Sequence, residues 1–341
     1  MSHSRPWARR ILHWGSVAFA LGLLAAALSV VHEALRSVTL ADVLAAAHRV
    51  PAAAVWLGVG FAIASHACLC VVDMMAMRYV GARQPWPRIF AASFVSQAIS
   101  HNVGFGAVTG GAIRYRMYSH DGVGAGAVAR IMVFTGGSFG LGALLWMLVA
   151  VIGSPRQAAT ITGLPVEMMH LLALAGITVV AAAALWTFAV RRSLPLPGLR
   201  LAPPRRWMLP LQGLLAMGDI ACAGLVLYTF LPDHSGLNLG LYLGLYTTAL
   251  MAGIASHVPG GLGVFEGAIL VMLPGVAPES VIGAALLYRL TYNLVPLALA
   301  GLMMAAFELH HRHRQRRRPP SPAAATTATA AGREMAEDLA A

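Results

Sequence analysis

The sequence lacks lysine altogether and contains little charge of either sign. All 24 basic residues are arginine, against 13 acidic residues, and charged residues make up only 11% of the 341 positions. An ordinary soluble domain is about one quarter charged, so this class is excluded. Cysteine is also scarce: Cys68, Cys70 and Cys222 all lie in apolar segments with no metal-ligating partner at a useful spacing. They predict buried thiols rather than a disulfide framework or a metal site.

Long apolar runs are what the chain has instead. The hydrocarbon core of a bilayer is about 30 Å thick and needs about 20 apolar residues to cross it. Runs of this kind occur at 11–31, 131–153 and 168–190, and with some interruption at 237–265 and 290–307. They predict an all-α polytopic membrane protein with about six spanning helices, at about 11–31, 52–77, 124–152, 166–190, 207–231 and 279–308.

The arginines set the predicted orientation, because basic residues favour the cytoplasmic side. They cluster in the N-terminal flank, in the loop 191–206 and in the tail 312–318. This topology explains them better than a nucleic-acid partner, and it predicts a bacterial-type inner-membrane protein with both termini in the cytoplasm. A cleaved signal peptide remains an alternative for the first run. Residues 38–49 predict a short amphipathic helix at the outer interface.

Two glycine-rich stretches interrupt the apolar pattern. They read SHNVGFGAVTGGAIRYRMY at 100–118 and ASHVPGGLGVFEGAIL at 255–270. In the predicted topology the surrounding segments, 89–121 and 239–278, each begin and end on one side of the membrane. Non-helical backbone at membrane depth is tolerated only inside protein or beside a polar cavity. We therefore expect two re-entrant hairpins that enter from opposite faces.

The two breaks also match each other in sequence. Gly104, Gly106 and Gly110 recur as Gly261, Gly263 and Gly267 at one constant offset. With the opposite topology, this predicts two inverted repeats, about 52–152 and 207–308, within a transmembrane domain 1–310, an arrangement known from transporters. Residues 311–341 predict a basic and then disordered cytoplasmic tail. Chance matching in a glycine-rich chain is the alternative to the repeats.

The first break carries a candidate anion site. A helix that restarts at Gly110 and Gly111 points free N–H groups toward the glycines, and the arginine fork suits phosphate oxygens. The predicted site for a lipid phosphate consists of Thr109, Gly110, Gly111, Arg114 and Arg116. Alternatively, the two arginines mark the cytoplasmic boundary and extend to it.

The second break carries a candidate site for a cation. Glu266, with Asp219 or Asp73, is predicted to receive an ammonium group of a head group. Alternatively, Glu266 caps its helix or pairs with Arg289, and Asp73 lies at the interface. Further predicted residues are Tyr115, His101 and His257, which are polar groups available to line a cavity, and the broken-helix glycines Gly104, Gly106, Gly260, Gly261 and Gly263.

The segments FGAVTGGAIRYRMY and SHVPGGLGVFE resemble the transmembrane region of the lysylphosphatidylglycerol synthetase/flippase (multiple peptide resistance factor) family. The resemblance covers about residues 10–310. It implies a membrane domain that moves aminoacylated phosphatidylglycerol to the outer leaflet. In that family a separate cytosolic domain makes the lipid, and no such segment follows residue 310 here. The resemblance therefore implies the stand-alone membrane form.

The leading hypothesis is an inner-membrane phospholipid translocase, transporter-like rather than an enzyme, without cofactor or metal. Membrane phospholipids are the expected partners, together with a possible separate aminoacyl-lipid synthetase and a possible homo-oligomer. The alternatives are a membrane subunit or anchor of a separately encoded lipid-modifying transferase, and a scaffold without transport.

Overall fold

A computed structural model describes residues 40–103, 106–119, 122–196, 199–232, 236–273 and 275–316. The first half contains α1 Leu40–His48, α2 Ala52–Val80, α3 Trp86–Ser100, α4 Gly106–Tyr118, α5 Ala125–Gly153, α6 Pro155–Thr162 and α7 Val166–Leu185, which continues as a π-helical turn Trp186–Val190. The second half contains β1 Leu194–Leu196, β2 Leu199–Leu201, α8 Met208–Phe230, α9 Leu239–Ala255, a 3₁₀ turn Pro259–Gly261, α10 Val264–Met272, α11 Pro278–Tyr288, a π-helical turn Arg289–Leu294 and α12 Val295–Arg316.

The chain is an all-α polytopic membrane protein, as the composition predicts. Within the described residues, five helices are long and apolar enough to cross a membrane: Ala52–Val80, Ala125–Gly153, Val166–Val190, Met208–Phe230 and Pro278–Leu309. The sixth predicted span, 11–31, lies outside the described residues, as does most of the tail 311–341. The short predicted helix at 38–49 is present as α1.

The chain divides into two compact units, Met1–Ala300 and Gly301–Ala341. Every residue of the site described below belongs to the first unit. In the second, the described chain is helical as far as Arg316. The loop 191–206 contains a short antiparallel ladder, β1 with β2, in which Leu194 pairs with Leu201. Sequence reasoning predicted only a basic loop there.

Two pairs of helices in the first unit are too short to span. The helices α3 and α4 have 15 and 13 residues, and α9 and α10 have 17 and 9. At 1.5 Å per residue the longest of them reaches about 26 Å, short of the ~30 Å hydrocarbon core. Each pair is joined at one of the two glycine-rich stretches. We name the segment 101–103 the first tip and the segment 256–263 the second tip.

Two of the long helices, α5 and α8, pack closely against each other. At the crossing of α5 and α8, a Cβ placed on Gly142 would lie 2.7 Å from the backbone carbon of Ala216. Only glycine permits this approach, which is typical of helix contacts in membranes. Such contacts fix the walls between which the two tips lie.

Candidate functional site

A cavity of about 340 Å³ lies between the two tips. The first tip and its helices contribute Gln97, Ser100, His101, Val103, Gly106 and Arg114. The second contributes Gly253, Ile254, Val258, Gly260, Gly261 and Phe265. The remaining walls come from α2, α5, α8, α9, α11 and the π-helical turn at 289–294. Both glycine-rich stretches therefore face one space, although 150 residues of chain separate them.

The π-helical turn at 289–294 contacts both tips. The Arg289 Nη1 donates to the carbonyl of Gly260 at 2.9 Å, on the second tip. The Asn102 side-chain amide, on the first tip, donates to the carbonyl of Asn293 at 3.4 Å. π-helical turns within α-helices often occur at functional sites, because they redirect side chains and free backbone groups.

The conformation of the second tip requires glycine. Gly260 and Gly261 have φ of 61° and 62°, and Gly263 has φ of 79°. These left-handed values disfavour residues with a Cβ. A Cβ on Gly261 would also lie 3.1 Å from the Cα of Gly253. His257 adopts φ of 55° as well, and its exposed ring bonds the backbone of Ala255 rather than entering the cavity.

Arg114 and Asp73 form an ion pair inside the protein. The Arg114 Nη2 donates to Asp73 Oδ2 at 2.7 Å, and the two side chains are each 2% exposed. The Arg114 Nη1 donates to Ser96 Oγ at 2.5 Å, and that hydroxyl donates to the carbonyl of Gly110 at 3.0 Å. The pair joins α2, α3 and α4. Both side chains are therefore enclosed by protein and paired with each other.

Glu266 and Arg289 form a second ion pair, which the sequence offered as one of two alternatives. The Arg289 Nε donates to Glu266 Oε1 at 2.5 Å, and the Gly263 N–H donates to Glu266 Oε2 at 2.9 Å. Both carboxylate oxygens of Glu266 are thus used within the protein. The Arg289 Nη2, by contrast, is buried without a hydrogen-bond partner. Arg289 lines the cavity and retains donor capacity there.

Asp219 forms no ion pair with any arginine that the structure describes. It lines the cavity, is 5% exposed, and accepts a hydrogen bond from Ser65 Oγ at 2.5 Å. The Ser65 hydroxyl lies 2.8 Å from the Tyr292 hydroxyl. Since Ser65 has one hydrogen and gives it to the carboxylate, Tyr292 is the donor in that second bond. Two hydroxyls in series therefore lead to Asp219.

A stack of rings runs along the cavity wall from His101 on the first tip to Phe265 in α10, just after the second tip. His101 stacks on Tyr292 with centroids 6.1 Å apart and planes at 15°. Tyr292 stacks on Tyr288 at 5.3 Å, and Tyr288 on Phe265 at 5.5 Å. The hydroxyls of Tyr246 and Tyr288 are 2.7 Å apart. Electron-rich ring faces are a surface on which a cationic group binds favourably.

The structure brings only part of the predicted site together. The predicted residues that line the cavity are His101, Gly106, Arg114, Asp219, Gly260 and Gly261. Gly110 instead packs against α3, where a Cβ would lie 2.8 Å from Ser100 Oγ. Tyr115 and Arg116 are exposed on α4. The remaining predicted residues of the described chain, outside this lining, are Thr109, Gly111, Asp73, His257, Gly263 and Glu266; Gly104 lies outside the described residues.

Several residues that line the cavity, or that bond the charged side chains lining it, had no role in the sequence hypothesis. Ser65, Ser96, Tyr246 and Tyr288 belong to helices that read as plain apolar segments. The one usable signal was the spacing of Tyr288 from Tyr292, which places both on one face of a helix. Among the described residues, no cluster of three or more histidine, cysteine or acidic side chains could hold a metal ion.

The chain is similar to known membrane proteins over most of its length. The model of the family described as the lysylphosphatidylglycerol synthase TM region matches residues 14–300. Uncharacterized protein slr0712 of Synechocystis is 35% identical over 244 residues, covering 70% of this chain and 75% of that protein. Inner membrane protein YbhN of Escherichia coli is 28% identical over 248 residues, covering 71% and 76%.

A shorter similarity extends to named enzymes. A phosphatidylglycerol lysyltransferase of Staphylococcus epidermidis is 30% identical over 91 residues. That segment is 26% of this chain but only 11% of the enzyme. The similarity therefore concerns a small part of the lysyltransferase.

Proposed function

Because the chain belongs to the family of the lysylphosphatidylglycerol synthase transmembrane region, we propose that it is an inner-membrane phospholipid translocase. Aminoacylated phosphatidylglycerol or a related lipid is the proposed substrate. The observation that carries the proposal is the single cavity between two broken-helix tips, with an unpartnered arginine donor and an unpaired carboxylate in its walls.

The short helices support re-entrant hairpins. The two pairs, α3 with α4 and α9 with α10, cannot each cross the bilayer twice, because none of their helices reaches its thickness. Their tips carry non-helical backbone, which is stable at membrane depth where it lines a polar cavity. We propose that the hairpins enter from opposite faces and belong to inverted repeats at about 52–152 and 207–308. Relative movement of the two would open the cavity to each leaflet in turn.

Arg289 is the favoured ligand for the lipid phosphate. Arg289 lines the cavity, and its buried Nη2 has no hydrogen-bond partner, so a phosphate oxygen that reached this atom would satisfy it. Arg114, the residue predicted from the sequence, also borders the cavity, but Asp73 and Ser96 already accept from its terminal nitrogens. A charge-assisted bond to phosphate is stronger than a neutral one, and burial strengthens it further.

The cavity opening favours a lipid over a water-soluble solute. Val103 and Ile254 line the cavity and are also 41% and 53% exposed. This exposure supports a cavity that opens onto the apolar surface of the protein beside Val103 on the first tip and Ile254 near the end of α9. A head group could occupy it while the acyl chains remain in the membrane, which avoids burying them in protein.

Head-group movement in proteoliposomes tests the proposal. The protein would be reconstituted with fluorescent phosphatidylglycerol or its lysyl derivative, and the outer pool quenched chemically. The Arg289→Lys variant keeps a cation beside Glu266 but removes the planar fork, and Arg156→Lys, on the exposed surface of α6, is the matched control. With the wild type and the control, we expect the fluorescence of the inner leaflet to be lost as lipid moves outward and is quenched. With Arg289→Lys, we expect this loss to be at least about tenfold slower. Rates equal to those of protein-free vesicles for both lipids would refute translocation.

The similarity to lysyltransferases favours one alternative, a membrane subunit of a separately encoded lipid-modifying transferase. In those proteins a related segment forms part of a chain named for lysyl transfer. This alternative predicts that a soluble transferase co-purifies with the chain, and that modified lipid forms only when both are present. A translocase predicts head-group movement by the purified chain alone.

A further inference from the structure

We propose that Asp219 holds a proton while the cavity is empty and releases it when the cationic part of a head group binds. Asp219 would then be a proton-exchange site, and the head group and a proton would move in opposite directions. The inference rests on the proposed function for its ligand, a lipid head group that carries an ammonium.

The three intramembrane carboxylates near the cavity differ in their partners. The Asp73 carboxylate lies 2.7 Å from the Arg114 guanidinium, and the Glu266 carboxylate lies 2.5 Å from that of Arg289. Among the residues that the structure describes, no cation forms an ion pair with Asp219. An isolated carboxylate in a low-dielectric site is strongly disfavoured and is neutralised instead by taking up a proton.

The groups around Asp219 do not supply the missing positive charge. The ionisable side chains that face it are Cys68 on α2, Cys222 on α8 itself, Tyr288 on α11, and Tyr292 in the π-helical turn. Thiols and phenols are neutral at physiological pH, or anionic at high pH, so none of them compensates a carboxylate. No charged side chain of α5 or α9 acts on Asp219 within the described part of the chain.

The hydroxyl series provides a route for the proton. Tyr292 donates toward Ser65, and Ser65 donates to Asp219 Oδ1. Tyr292 is also stacked between His101 and Tyr288 along the cavity wall. In this orientation the series delivers a proton to Asp219, whereas a proton leaves Asp219 either directly to water in the cavity or along the series after both hydroxyls have rotated to donate outward. When an ammonium enters, the ionised carboxylate becomes its partner, and the released proton goes to solvent.

The exchange has a thermodynamic signature. If binding of a cationic head group releases one proton, its Kd falls about tenfold for each pH unit of increase, over the range where empty Asp219 is protonated. Binding of a head group without an ammonium shows no such dependence. The transmembrane proton gradient would then drive the cationic lipid toward the more acidic side.

Calorimetry of the detergent-solubilised full chain tests this exchange. Short-chain lysylphosphatidylglycerol would be titrated at a pH of about 6, where its amines keep their protons, in two buffers of different ionisation enthalpy. We expect the wild type and Glu167→Gln, an exposed acid at the start of α7, to release about one proton more than Asp219→Asn. Phosphatidylglycerol should release none. Binding of the lysyl lipid without this difference would overturn the proposal.

Infrared difference spectroscopy shows whether Asp219 carries a proton when no lipid is bound. The empty wild-type protein should show a protonated-carboxyl stretching band that Asp219→Asn lacks and that lysylphosphatidylglycerol removes. Absence of the band would overturn the proton site even if the lipid is transported. If the lysyl lipid does not bind at all, the proposed function and the exchange both fail, and the band alone then settles whether Asp219 carries a proton.

Discussion

Replacing Arg114 by methionine removes the guanidinium that neutralises Asp73. The carboxylate would remain 2% exposed, with Oδ2 stripped of its 2.7 Å bond and Oδ1 without a partner as before. Breaking one side of a buried pair costs about 3–5 kcal/mol, far more than loss of a surface pair. With an unfolding entropy of about 2.1 cal/mol/K per residue over 341 residues, we expect the melting temperature of Arg114→Met to fall by roughly 4–7 °C.

The double variant Asp73→Leu Arg114→Met distinguishes a structural role of Arg114 from a role in binding the lipid phosphate. It removes both charges, so the uncompensated carboxylate disappears, and such replacements are commonly neutral or stabilising by about 1–4 kcal/mol. We expect it to regain the wild-type melting temperature and to move lipid, since Arg289 rather than Arg114 is proposed to bind phosphate.

Thermal unfolding is readily followed with a thiol-reactive fluorogenic dye, because Cys70 is buried and Cys68 and Cys222 are partly buried. Arg156→Met, on an exposed surface, serves as the control for loss of one arginine. A single variant as stable as the wild type would refute the buried pair. A double variant that folds but moves no lipid would refute the structural role and restore Arg114 as a phosphate ligand.

Three further predictions follow from packing and hydrogen bonds. Gly142→Ala places a Cβ within 2.7 Å of the α8 backbone, whereas a Cβ at Gly140 meets open space. We therefore expect Gly142→Ala to lower the free energy of unfolding by about 1–3 kcal/mol, and Gly140→Ala to leave it unchanged. Equal effects of the two substitutions on the melting temperature would contradict the close crossing. Asn238→Ala removes the side-chain acceptor for the Leu241 N–H at the start of α9 and should cost about 1 kcal/mol in the same assay. Tyr288→Phe keeps the ring stack but deletes the hydroxyl partner of Tyr246, so we expect about 1 kcal/mol of destabilisation, and a fully unaffected melting curve would argue against that bond.

The long helices could be read from the sequence with small errors. Predicted helices at about 52–77, 124–152, 166–190, 207–231 and 279–308 appear as Ala52–Val80, Ala125–Gly153, Val166–Val190, Met208–Phe230 and Pro278–Leu309. Bilayer thickness fixes the length of such segments, and their scarcity of charge marks them, so a local signal suffices. The two breaks were also indicated by their glycine clusters, although such a cluster is not sufficient: Gly136, Gly137, Gly140 and Gly142 lie within the continuous helix α5.

The partners of the charged residues could not be read in the same way. Asp73 is 41 positions from Arg114, and Ser65 is 154 from Asp219 and 227 from Tyr292. The pattern of residues within one helix does not show which other helices pack against it. The partner of a charged residue in another segment therefore cannot be identified from the sequence. Glu266 is the instructive exception: its distance from the helix start predicted the cap, and Arg289 was named as its possible partner.

Photocrosslinking of a lipid head group tests the central claim most directly. A lysylphosphatidylglycerol analogue with a photoreactive diazirine in the carbon chain of its lysyl group, and with both amines left free, would be irradiated with the reconstituted protein, and the labelled peptides identified by mass spectrometry. The account predicts adducts within 97–103, 253–261 and 288–293, the segments that line the cavity, and their loss in Arg289→Lys but not in Arg156→Lys. Adducts confined to lipid-exposed helices such as Val166–Val190, unchanged by either substitution, would contradict it.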